Sequence, residues 1–136
     1  MKQLILNSTL LLLIFISACT YSQNISTEGV QWCTWDNDLE LWRDCTVDYN
    51  KPSLIIINKD QTVITQTTED NRSTYYISTR EVLTNDKQEK IWRYDINSDL
   101  GQSYTLFINP VNRTVRAVYI KDGITQLTTF YVKAIY

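Results

Sequence analysis

The chain has 136 residues and a formal charge of −2 at pH 7, with 13 lysines and arginines against 15 aspartates and glutamates and no histidine. That length is one domain's worth, with room for one modest core, and so small a charge offers no global field to recruit nucleic acid. Lacking histidine, the chain lacks the commonest general base and the commonest metal ligand together, which excludes serine–histidine and cysteine–histidine nucleophile systems. Three glycines and two prolines are few, whereas Thr, Ile, Val and Tyr are plentiful. β-Branched and aromatic residues suit a half-buried pleated surface, so the domain is expected to be mostly strand.

At the N-terminus, Lys2 precedes an apolar run from Leu4 to Ile16 broken only by Asn7-Ser8-Thr9. This has the layout of a signal peptide and falls short of the roughly 20 apolar residues of a membrane-spanning helix. It ends in Ile16-Ser17-Ala18-Cys19, which resembles the lipobox of bacterial lipoproteins. The resemblance implies cleavage before Cys19 and attachment of diacylglycerol to its sulfur, with acyl chains that bury at about 0.8 kcal/mol per CH₂. The alternative is an ordinary secretory signal cut after Ala18 or near Gln23. Thr20 follows the cysteine, so the aspartate that retains enterobacterial lipoproteins in the inner membrane is absent, and so is an acidic surface-export run. The expected address is the outer membrane of a bacterial envelope, facing the periplasm and held by the lipid.

The expected organisation is a signal over 1–18, a lipidated tether over 19–29, whose residues are polar and without periodicity, and one all-β domain over 30–136. With Cys19 assigned to lipid, Cys33 and Cys45 remain as a pair in an oxidising compartment, which favours a disulfide. Closing so short a loop would contribute about 3 kcal/mol in the chain-entropy model. The spacing is not Cys-x-x-Cys and only Arg43 lies near to stabilise a thiolate, so a redox role is not expected.

Along the domain, strands are predicted over Val30–Trp35 and Leu39–Val47, around a turn at Asp36-Asn37-Asp38. Leu54–Ile57 and Thr62–Thr67 form a predicted hairpin through Asn58-Lys59-Asp60-Gln61, and the unbroken aliphatic run of the first suggests a strand buried on both faces. Thr74–Val82 follows, then Ile91–Asn97, where Trp92, Tyr94 and Ile96 alternate with Arg93, Asp95 and Asn97 as in a strand wet on one side. Tyr104–Ile108, Val115–Ile120 and Leu127–Ile135 complete the series. Their turns carry Gly101, Pro110 and the hairpin pair Asp122-Gly123. Seven to nine short strands joined by tight turns predict a single antiparallel meander forming a small barrel or sandwich. The layout of Trp42-Arg43-Asp44-Cys45, Leu54–Asn58, Tyr75-Tyr76-Ile77, Gly101-Gln102-Ser103-Tyr104 and Tyr131-Val132-Lys133 is similar to small Bacteroidota lipoproteins of uncharacterised function. It rests on strand-core residues and carries over no site.

Candidate chemistry concentrates between Glu28 and Asp48, where acids face only Arg43. Trp35, Asp36, Asp38, Glu40 and Asp44 are the candidate binding surface, an acidic and aromatic patch suited to a basic partner. Asp36-x-Asp38-x-Glu40 offers oxygen ligands at calcium-loop spacing but has Leu41 and Val47 where an EF-hand needs glycine and a bidentate glutamate, so no metal is expected. Trp32 and Trp42 are predicted to pack in the core against the disulfide, with Trp35 the more exposed. Tyr75 and Tyr76 are adjacent, so only one can face the core. Asn24, Asn71 and Asn112 each begin a glycosylation sequon, which a bacterial lipoprotein leaves unused.

These features point to a lipid-anchored binding module with no catalytic residues and no cofactor. Its expected partner is a periplasmic protein, bound as an inhibitor or immunity-like protein would bind. A barrel holding a small apolar ligand is the alternative, and a hydrolase using carboxylates between Asp36 and Asp48 is the more remote one.

Overall fold

The computed structural model describes residues 22–136, so the lipobox and Cys19 lie outside the described residues. Nine strands follow in order: β1 (Gln23–Asp36), β2 (Leu41–Asp48), β3 (Ser53–Ile57), β4 (Val63–Thr67), β5 (Arg72–Thr84), β6 (Lys90–Ser98), β7 (Ser103–Asn109), β8 (Thr114–Lys121) and β9 (Ile124–Ile135). All neighbours are antiparallel in the order β2-β1-β3-β4-β5-β6-β7-β8-β9, and β1 also pairs with β9. That pairing closes β1 and β3–β9 into an eight-stranded barrel. Of the two predicted architectures, the barrel is the one formed.

The first strand makes closure possible and corrects the predicted tether. Residues 23–29 are the first half of β1, hydrogen-bonded to β3 through Gln23↔Ile57 to Thr27↔Ser53 and to β9 from Ile25↔Ile135 onward. The segment looked polar because its one large apolar residue before Val30 is Ile25, yet Ile25 is fully buried. Thr27 is also buried, its hydroxyl satisfied 2.7 Å from that of Ser53, as a buried polar group requires.

At Gly29, β1 exchanges β3 for β2 along the same edge. The register slips there, and the chain passes so close that a Cβ on Gly29 would meet the Asp48 carbonyl oxygen and Tyr49 Cα at 3.2 Å. Beyond this point Val30–Asp36 pairs with Leu41–Asp48. Opposite Cys33, β2 carries an extra residue, with Asp44 at φ 55°, a bulge that brings Cys45 into bonding distance. The expected Cys33–Cys45 disulfide is formed.

Side chains alternate inward and outward as the pleat demands. Trp92, Tyr94 and Ile96 point into the barrel with Ile55, Ile57, Ile64, Leu106, Ile108, Val115 and Val132. Tyr75 packs on the same cluster, whereas Tyr76 is half exposed on the outer face. In β3 Ser53, Ile55 and Ile57 are buried; Leu54 and Ile56 face outward and are half-buried, because this strand is wall rather than centre.

The fully buried aliphatic side chains Ile25, Ile57, Ile64, Ile108 and Val115 all lie toward one end. There the β3–β4, β5–β6 and β7–β8 turns meet both ends of the described chain, where Asn24 and Tyr136 exchange backbone hydrogen bonds. Asn58, Asn85 and Asn109 open these three turns, each side-chain oxygen accepting two backbone N–H groups, the behaviour that favours asparagine at turn starts. Tyr94, 2% exposed, donates from within the core to Gln61 in the first of these turns at 3.0 Å. This end of the barrel is closed.

Candidate functional site

The opposite end is open. A cavity of about 860 Å³ enters the barrel between the β4–β5, β6–β7 and β8–β9 turns, within the 300–1,000 Å³ or so typical of small-molecule sites. Its inner wall is Ile55, Ile64, Ile96, Leu106, Ala117 and Phe130, drawn from strands all around the barrel. The alternation that fills the closed end also aims these residues inward. Toward the mouth they give way to aromatic rings that stand against one another without closing the space. Tyr75 meets Tyr104 edge-on at 5.5 Å, and Tyr104 meets Tyr119 at 5.0 Å.

The ring of Tyr104 holds its pKa above the usual phenol value, chiefly through burial and then through the neighbouring Tyr75 and Tyr119. Its hydroxyl therefore remains a hydrogen-bond donor at neutral pH. Tyr119 lies 3.4 Å from the Thr128 hydroxyl. Arg72 on β5 and Lys121 on β8 complete the lining at the mouth, together with Asp99 and the turn residues Leu100-Gly101-Gln102. Leu100 is 98% exposed, an apolar side chain standing free at the rim. A smaller recess of about 150 Å³ adjoins the cavity across Phe130 and Gln66, where Lys51 lies over the Trp32 ring at 5.3 Å.

The candidate residues named from the sequence lie elsewhere, on the β1–β2 hairpin. The structure brings all five together and uses two of them internally. Asp36 caps the turn, accepting from the backbone N–H of Asp38 at 2.9 Å and of Leu39 at 3.0 Å, and binds Arg43 at 2.6 Å. These bonds, led by that from Leu39, hold its pKa below the usual carboxylate range. Arg43 also lies 3.7 Å from Asp44. Asp38 and Glu40 remain exposed, Glu40 in the left-handed conformation that ends the turn.

Trp35 is half-buried, edge-on to Trp42 at 5.1 Å. The prediction that Trp32 and Trp42 belong to the core needs correction, since both are only half-buried. Trp32 is on the cavity side of β1. Trp42 is on the outer face, where it ends a shallow groove over Leu127, Val118, Phe107 and Ile91. The β1–β2 hairpin continues past the last β1–β9 pair, Thr34↔Gln126, so Trp42 pairs with Trp35 where no β9 residue is paired alongside.

No family model matches the chain, and no curated protein or solved structure is significantly similar to it. The cavity residues Tyr104, Tyr119, Phe130, Arg72 and Lys121 were not singled out from the sequence. For the three rings the signal was a single aromatic at an every-other-residue inward position of each of β7, β8 and β9. Only barrel closure turns those positions toward one space.

Proposed function

We propose that this protein is a binding protein, not an enzyme, and that its site is the open-ended barrel cavity, which takes a small, largely apolar ligand. The observation that carries this reading is a cavity of about 860 Å³, walled by Ile55, Ile96, Leu106 and Phe130 and reached through a rim of tyrosines. Concave, mostly apolar space with a few convergent polar groups is what small-molecule recognition requires.

The lipoprotein reading of Cys19 fits the same geometry. The chain enters β1 at the closed end, and the few residues between Cys19 and Gln23 span at most about 14 Å. Acylation of Cys19 would therefore seat the closed end next to the outer membrane and turn the mouth toward the periplasm. A second reading is a protein partner on the β1–β2 tip, favoured by the exposed carboxylates Asp38 and Glu40 beside the half-exposed Trp35 and Trp42.

Filling the cavity tests the first reading. Ala117 lines the space and is small, so Ala117→Trp should occupy it. The expected outcome is loss of binding of an environment-sensitive probe such as anilinonaphthalene sulfonate, with the far-UV circular dichroism of the barrel retained. Undiminished probe binding by the folded variant would refute the assignment of the site. Asp38→Asn with Glu40→Gln should leave probe binding unchanged, and should weaken capture of a basic protein only if the hairpin tip is also a docking site.

A further inference from the structure

Accepting the cavity as the ligand site, we infer that its ligand is a single-chain anionic amphiphile, with its hydrocarbon chain inside the barrel and its acidic headgroup between Arg72 and Lys121. The inference deepens that reading and stands on the placement of charge. Among the described residues only Arg43 and Arg93 form ion pairs, and of the remaining lysines and arginines two line the cavity. Arg43 and Arg93 are engaged by carboxylates, at 2.6 Å from Asp36 and 3.2 Å from Glu81. Arg72 and Lys121 line the cavity and form no ion pair among the described residues.

These two cations flank the β6–β7 turn from either side, one at the start of β5 and the other at the end of β8. The single acidic residue of the lining, Asp99, sits beside the Tyr76 hydroxyl on the outer face and raises its pKa. Glu69, Asp70 and Asp122 belong to the adjacent turns but do not line the cavity.

Below the cations the polar groups continue in the same sense. Tyr75 and Tyr104 carry phenol hydroxyls able to donate to an oxyanion, and beneath them the wall is hydrocarbon. A neutral oil would leave the rim charges without a counterpart, and a cationic amphiphile would meet Arg72 and Lys121 as like charges. An acid headgroup meets charge-assisted donors where its chain emerges. The cations are exposed, so each contributes only a few-fold in affinity and the pair about tenfold. The hydrocarbon wall supplies the remainder.

The test compares dodecanoate, dodecyl phosphate, dodecanol and dodecylamine as displacers of anilinonaphthalene sulfonate from the full-length protein, each checked by calorimetry. The two acids should bind about tenfold more tightly than the alcohol, with the amine weakest. Which acid is tighter identifies the headgroup. Arg72→Gln with Lys121→Gln should bring the acids to the level of the alcohol and leave the alcohol unchanged, while Lys133→Gln, remote from the mouth, should alter nothing. Equal binding of acid and alcohol, or tightest binding of the amine, would overturn the anionic headgroup while leaving the cavity as the site. Failure of every amphiphile to displace the probe, together with full probe binding by Ala117→Trp, would overturn both.

Discussion

The two ends of the barrel are built from the same strands by the same alternation, yet one is solid and the other hollow. At the closed end the inward positions are Ile25, Ile57, Ile108 and Val115, each fully buried, and Tyr94 ties the core to the β3–β4 turn. At the open end the inward positions are Tyr75, Tyr104, Tyr119 and Phe130, all half-buried around unfilled space. Branched aliphatics interdigitate to crystal-like density. Tyrosines carry a hydroxyl that seeks a partner and so stand with one edge toward water. Stability should therefore reside at the closed end, and binding at the open one.

The largest effect that could break this division is truncation of core side chains. Ile108→Ala should cost about 2–5 kcal/mol in urea unfolding, and Phe130→Ala at the cavity less than about 2 kcal/mol, because the latter enlarges a space that already exists. Comparable losses from the two would mean that the open end is as tightly packed as the closed one. A smaller effect is expected at the turns. Asn85→Ala removes the acceptor for the Lys87 and Glu89 N–H groups and should cost about 1 kcal/mol. Leu100→Ser at the open rim should change stability by less than about 0.5 kcal/mol.

Acid gives the smallest effect and sharpens the comparison in a different way. Asp36 on the open-end hairpin and Asp95 on the barrel wall both have folded pKa values below the usual carboxylate range. The causes are led by the Leu39 N–H for Asp36, and by the Thr79 hydroxyl, with Arg93 and Thr105 adding to it, for Asp95. A depressed folded pKa means that the unfolded chain takes up protons first. Their stabilisation is therefore complete above the ordinary carboxylate pKa of about 4 and is lost as pH falls through the lower folded values. Thermal scans between pH 5 and pH 2 should show a loss of stability that is shallower in Asp95→Asn, with no corresponding change above pH 5.

Much of this fold was legible in the chain. The alternation of Trp92, Tyr94 and Ile96 against Arg93 and Asp95 fixed an inward face, and the adjacency of Tyr75 and Tyr76 required that only one point inward. Gln23–Gly29 was not legible as strand, because its stability comes from backbone pairing with β3 and β9, partners about 30 and 110 residues away, rather than from its own polar side chains. The acidic hairpin was conspicuous in sequence because charges are visible there, whereas the Arg43 contacts that neutralise Asp36 and Asp44 depend on a turn and a bulge. The cavity was invisible for the opposite reason. Tyr104 and Phe130 read as strand-core residues, and the space they leave unfilled is a property of eight strands together.

The division between the two ends is tested most directly by backbone amide shifts on titrating the ¹⁵N-labelled protein with dodecanoate. The expected changes centre on Tyr75, Gly101, Tyr104, Tyr119 and Phe130, with the turns opened by Asn58, Asn85 and Asn109 unmoved. Changes centred on the outer face around Trp42 and Leu127, or on the closed-end turns, would contradict a ligand site inside the open end of the barrel.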